Sequence, residues 1–437
     1  ANLAQKIAGG LRATLTGSEQ TLITRRATAN REAYELYQRA RLLDQSLSQR
    51  SPKDDYARVG VLYEQAIAKD PEFALAYAQL AVLHGRMYWF DYVDATPERR
   101  ARAEATLARA VSLAPTAPET HWAKGAIAYL CRNDWRAALA DYALAEPGMP
   151  NDAQLHFQSG LAHRRLGQMQ EAASRIQRAV ELEPQTSAID ALAGTLHTLR
   201  RYDQVLTLAS RYLERFPDAS GLRRTRASAL YALNGDRNAY MNQRRSDRLT
   251  QSGDEFFDLE YELALIAGDL AGAEQALSID SRISTLRAFG SHREPIAMRR
   301  AMLAFLRGDY ATAKRFADEA IAYFRARPPV ARWEPAYRLA IAEAHAFAGD
   351  GAAVIADARA AIADYAQVDA FAATQHGEFI LGRIYVMLGR TEDALASLRK
   401  MMVAPGQPPH AYRDDPIWSR LKADSRFEEI LRSARAL

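Results

Sequence analysis

Proline recurs in this chain at a spacing that few folds can use. Pro115, Pro150, Pro184 and Pro217 lie 35, 34 and 33 residues apart. Each follows a stretch with apolar and small residues at helical intervals, and proline cannot continue a helix, so each marks the close of a unit. The best-formed unit covers 151–184. Its first helix carries Leu155, Gly160, His163 and Leu166. Gly167 and Gln168 turn the chain, and Ala172, Ile176, Ala179 and Leu182 form one face of a second helix. Gly125, Gly160 and Gly194 fall in register, and small residues there let two helices approach closely. A fixed period of about 34 residues made of helical pairs implies a stacked array, in which each pair buries its apolar face on its neighbours. The expected fold is all-α: a right-handed superhelical solenoid of roughly nine helical hairpins with a C-terminal capping helix.

The unit at 151–184 resembles a tetratricopeptide repeat (TPR) in its small-residue, Gly-turn, Ala and Pro positions, with His156 where that repeat commonly has Trp. The same phasing divides the chain. Residues 1–29 carry Leu3, Ile7, Leu11 and Leu15 at helical spacing and read as a helix joining an upstream domain. Because the sequence starts at Ala1 rather than Met, the expectation is a piece of a longer protein. Residues 30–277 read as a first array, beginning at the N-cap Asn30. The pattern weakens after Pro217. Residues 278–295 read as an irregular connection, 296–404 as a second array, and 405–437 as a capping tail with Trp418, Phe427, Ile430 and Leu431. Between Pro71 and Pro115 the interval grows to 44 residues through an insertion containing Tyr88, Trp89, Phe90, Asp91 and Tyr92. Those aromatics either plug the first turns of the array or form a contact patch.

A chain of 437 residues exceeds a typical single core, which a stacked array avoids. Hydrophobic residues make up 48% and charged residues 25%, so the chain is expected to be ordered. Net charge is only +4 on 57 basic and 53 acidic side chains, which does not point to nucleic acid. No apolar run approaches the ~18 residues of a membrane span. The lone Cys131 favours the cytoplasm slightly and is also compatible with a periplasmic portion of a membrane-anchored regulator.

The sequence holds no Gly-rich phosphate loop, HExxH or CxxC motif, so no enzyme and no cofactor is expected. His156 and His163 share a helix face but are too few for a metal site. The basic stretch Arg223, Arg224, Arg226, Arg237, Arg244, Arg245 and Arg248 reads first as a solvated face, then as a surface for an acidic protein.

In the tetratricopeptide class the first helix of each unit lines the concave face, at its second, fifth, ninth, twelfth and thirteenth positions. Carried onto this sequence, those positions imply Trp122, Tyr129, Phe157, Arg164, Arg165, Arg224 and Tyr231 as partner-binding residues on one continuous surface. Aromatics and arginines dominate binding hot spots, and Arg grips a carboxylate through two donors. The expected partner is a protein or peptide in the concave groove. The rival reading is a structural scaffold or homodimer without a groove ligand.

Both ends carry a further resemblance. Ile7, Ala8 and 11–16, followed by Ala33-Tyr34-Glu35-Leu36-Tyr37-Gln38-Arg39-Ala40-Arg41, resemble a junction in bacterial regulators where a TolB-like or FlgO-like domain meets a tetratricopeptide array. Asp415-Pro416-Ile417-Trp418, Leu421 and 424–431 resemble the end of such arrays. They are C-terminal parts of winged-helix transcription regulators, adenylate cyclases and Ser/Thr kinases. The resemblance implies a sensory module that regulates an N-terminal output domain.

Overall fold

The computed structural model describes residues 27–47, 51–217, 219–247, 254–278, 285–287, 293–327, 333–349 and 351–437. The expected N-terminal helix of residues 3–15, and Arg248, lie outside them. The chain forms two compact units, Ala1–Ala162 and His163–Leu437. Their boundary falls inside one helix.

The first unit holds α1 (Arg31–Ser46), α2 (Lys53–Lys69), α3 (Ala74–Trp89), α4 (Pro97–Leu113), α5 (Pro118–Ile127), α6 (Trp135–Ala145) and most of α7 (Ala153–Arg165). Local chemistry sets the starts. Asn30 accepts the Ala33 N–H to cap α1, and Thr96 accepts the Arg99 N–H with Pro97 at the first helical position of α4. Helices pair as α1 with α2, α3 with α4 and α5 with α6. Tyr37, Tyr56, Tyr63, Phe73 and Leu83 fill the space between the first pairs.

The second unit holds α8 (Met169–Leu182), α9 (Thr186–Thr198), α10 (Tyr202–Tyr212), α11 (Ser220–Asn234), α12 (Arg237–Asp247), α13 (Asp254–Ala267) and α14 (Leu270–Ala276). A short antiparallel pair follows, β1 (Thr285–Arg287) with β2 (Arg293–Pro295), Leu286 opposite Glu294. Next come α15 (Ile296–Leu306), α16 (Tyr310–Ala326), α17 (Glu334–Phe347) and α18 (Ala352–Val368). Ala370–Ala372 and a wide π turn, Ala373–Gly377, lead into α19 (Glu378–Met387) and α20 (Thr391–Val403). The tail adds α21 (Pro409–Asp414), a tight helical turn (Trp418–Ala423) and α22 (Ser425–Arg432).

The repeat is written into the turns. Asn133, Gly167, Arg200, Gly235, Gly268, Gly308, Gly349 and Gly389 all take positive φ where a first helix hands over to a second. They are spaced by 34, 33, 35 and 33 residues, then by 40, 41 and 40. An aspartate often follows as the next N-cap: Asp134, Asp236, Asp269 and Asp309 accept the N–H groups of Ala137, Ala239, Gly272 and Thr312. The turn at Gly268 keeps the register through the segment where the apolar pattern weakens. The last two intervals lengthen because α16 and α18 run 17 residues where α10 runs 11, whereas the interval from Gly268 to Gly308 holds the seven-residue α14 followed by the segment that carries β1 and β2.

Ala138 and Ala172 are fully buried on their second helices, as the unit pattern requires. The glycine register is mixed. A β-carbon on Gly125 would stand 2.5 Å from the Tyr142 ring and 2.9 Å from the Ala138 carbonyl, so that approach is close. Gly194 meets nothing within 4 Å, and the close approach expected there does not exist.

Candidate partner-binding site

Within the first unit, α1, α3 and α5 present one face to a hollow of about 650 Å³. Tyr34, Tyr37, Gln38 and Arg41 of α1 form one wall. Leu75 and Gln79 of α3, Glu119 of α5 and Asp152 before α7 continue it. Tyr34 is 44% exposed and stacks on Tyr37 at 6.4 Å between centroids. Burial pushes the Tyr37 phenol up to about 12, against the pull of the neighbouring Arg41, so the hydroxyl is neutral at physiological pH. The hollow therefore offers an accessible aromatic face, a half-buried guanidinium and acidic groups.

None of the residues picked out by the repeat positions lines this hollow. Trp122 is buried, 4% exposed, and its Nε1 has no hydrogen-bond partner among the described residues. Tyr129 is buried as well, with its ring 4.8 Å from Trp135 and 5.3 Å from Trp89. Phe157 is half-buried on α7. The aromatic insertion contributes to this packing, since Trp89 joins Tyr129 and Phe90 meets Tyr56 edge-on at 6.1 Å. A signal for the hollow did exist. The inward spacing applied to later units reaches Tyr34, Gln38 and Arg41 when it is counted from the N-cap Asn30, one residue ahead of α1.

In the second unit the expected residues already have partners in the same chain. Arg165 is ion-paired with the buried Asp369, and the Arg164 guanidinium lies 4.9 Å over the Phe371 ring. Tyr231 is 5% exposed and stacks on His410 at 4.4 Å. Only Arg224 stands exposed. The expected single surface of exposed aromatics and arginines is therefore not what the structure holds. The tail reaches far past a capping position. The Gly406 N–H donates to the Thr198 carbonyl at 3.1 Å, and Gln375 Nε2 donates to Thr198 Oγ1 at 2.8 Å. Arg200 donates to the Met401 carbonyl at 2.8 Å, and Arg201 to the Leu437 carbonyl at 2.6 Å. Ser228 Oγ sits between His197 Nε2 at 2.9 Å and His410 Nε2 at 3.1 Å. Burial drives both imidazoles down, His197 to about 4 and His410 to about 3, so both are neutral around Ser228. The face of α9 and α11 thus holds the tail of its own chain, through the non-helical stretch 404–408 and the first turn of α21. A capping role is present too, because Trp418 is fully buried and packs where any β-carbon on Gly382 would stand 2.1 Å from its ring.

The basic stretch is partly spent internally: Arg244 is buried and bonds Glu262 at 2.7 Å, and Arg237 lies 3.8 Å from Asp414. His156 meets the Pro150 carbonyl at 3.0 Å and His163 meets Gln168 at 2.6 Å, so the two have separate partners. Cys131 is buried. Among the described residues there is no group of three metal-ligating side chains and no helix long and apolar enough to cross a membrane.

Residues 153–186, which span α7, its turn and α8, match the family model described as tetratricopeptide repeat. That hairpin is a tetratricopeptide repeat. No curated protein matches the chain. Among solved structures, the chain is similar to PilW, described as a widely conserved type IV pilus biogenesis factor, at 17% identity over 57% of this chain and 92% of that one, TM-score 0.32. It is also similar to YrrB, described as a TPR protein with an unusual peptide-binding site, at 20% identity over 47% and 97%, TM-score 0.34. Yeast Tom70 aligns at 16% identity over 91% of this chain and 69% of its own, TM-score 0.36.

Proposed function

We propose that this chain is a protein-interaction scaffold whose partner is an extended peptide segment held in the hollow between α1, α3 and α5. The observation that carries the reading is the pairing of accessible Tyr34 with Arg41 and Gln38 along one wall of that hollow. An aromatic ring supplies apolar area at low entropy cost, and a guanidinium orients a carboxylate. The second unit lends support by example, because its own α9–α11 face holds a tail segment through a backbone hydrogen bond from Gly406 and a ring stack from His410 at the start of α21. On this reading binding regulates an N-terminal output domain of the transcription-regulator or cyclase kind, the role implied by the resemblance at the two ends. The role is one of binding, without catalysis or cofactor. A second reading, a structural or dimerising scaffold, is favoured for the second unit alone, where the tail fills the face a partner would use.

The test is binding of acidic peptides selected from a random library against the whole chain. Arg41→Glu with Tyr34→Ala should weaken them roughly tenfold or more and flatten their salt dependence. Equal affinity for the double variant and the unaltered chain would refute the assignment of this hollow.

A further inference from the structure

A second cavity, about 340 Å³, lies wholly within the second unit between α13, α15, α17 and α19, with the tail across one side. It sits at the small end of the range for small-molecule sites, ~300–1,000 Å³. Its polar lining is charged and buried. Arg383 Nε lies 3.2 Å from Glu343 Oε1, and Arg383 Nη1 lies 3.8 Å from Asp415. Arg299 lies 3.9 Å from Glu294 and 4.8 Å over the Tyr261 ring. Three carboxylates thus face two guanidiniums, which leaves one acid in excess.

The hydrogen bonds are incomplete in the same place. Glu343 is 7% exposed, yet its Oε1 has no hydrogen-bond partner among the described residues, because Arg383 Nε is close but not aligned to donate. The Tyr261 hydroxyl, 3% exposed, also lacks one. Arg383 Nε is the third such atom on this wall. Buried polar atoms are almost always satisfied, and the Glu343 and Tyr261 oxygens can both accept, so the wall calls for a donor between them. The rest of the wall is soft and apolar, with Met298, Met302 and Phe347.

We propose that this cavity binds a small organic cation, a primary alkylammonium, whose N–H groups meet Glu343 Oε1 and the Tyr261 hydroxyl and whose apolar body lies against Met298, Met302 and Phe347. A primary ammonium supplies three donors and the positive charge that the excess carboxylate calls for. The site is separate from the hollow of the first unit and from the self-occupied face of α9 and α11. Burial, ahead of the influence of Arg383, raises the Glu343 carboxyl to about 7, and Glu294 and Asp415 push the same way. Near neutrality Glu343 therefore holds a proton for part of the time, and an entering cation expels it.

Titration calorimetry on the whole chain with n-butylammonium and phenethylammonium, in two buffers of different ionisation enthalpy, reads both affinity and proton release. The expected result is binding with a net release on the order of half a proton at about pH 7, fading by about pH 9. Glu343→Gln should weaken binding roughly tenfold or more, and Tyr261→Phe, which keeps the ring, should weaken it several-fold. n-Butanol and butyrate should not bind. If neither ammonium gives heat, if n-butanol binds as well as n-butylammonium, or if unaltered protein releases no proton at about pH 7, the assignment is wrong.

Discussion

Gly125 and Gly194 occupy the same position two repeats apart, and their surroundings are opposite. A methyl at Gly125 has to push aside the Tyr142 ring and crowd a backbone carbonyl, so Gly125→Ala should cost about 1–3 kcal/mol. Gly194 sits in the middle of α9 with open space around it, so Gly194→Ala should stabilise by about 0.5–1 kcal/mol through helix propensity and a smaller loss of chain entropy. Denaturant melts of the two variants check this, and a loss at Gly194 as large as at Gly125 would contradict the packing. The register of small residues was legible in the sequence, but which ring stands opposite each was not. The same limit explains the site residues. Trp122 and Tyr129 stand at the inward positions of the repeat, yet a neighbouring aromatic insertion closes over Tyr129, and no local pattern announces that.

At the scale of elements, the tail is the feature with most consequence. Its anchor on α9 and α11 includes the hydroxyl of Ser228 held between two neutral histidines. An unfolded histidine takes up a proton below about 6.5, whereas these two refuse it until about 4 and about 3. The folded pKa values are depressed, so this part of the stability is present above pH ~6.5 and is lost as pH falls through that window, by up to about 1.4 kcal/mol per pH unit for each histidine. The Gly406 amide, bonded to the Thr198 carbonyl, should show a lower protection factor at about pH 5 than at about pH 7.5. Tyr231→Ala should lower it at about pH 7.5 as well, because the stack on His410 is gone. Protection unchanged by either alteration would mean that the tail is held by other contacts.

At the scale of the whole molecule, the all-helical array was readable because it repeats. Period, turn glycines, capping aspartates and buried alanines all state the same unit, and consistency across levels is what makes a fold legible. The pairings of Arg200 with Met401 and of Arg165 with Asp369 join residues about two hundred positions apart, and such contacts leave no periodic trace. The division of labour that results is the central claim: the first unit keeps a face open for a partner, and the second fills its own. The most direct measurement is hydrogen–deuterium exchange of the whole chain with and without a selected acidic peptide. The account predicts new protection in α1 around Tyr34 and Arg41 and in α3 around Gln79, with the segment 404–410 unchanged. Protection confined to α9 and α11, with 404–410 released, would contradict it.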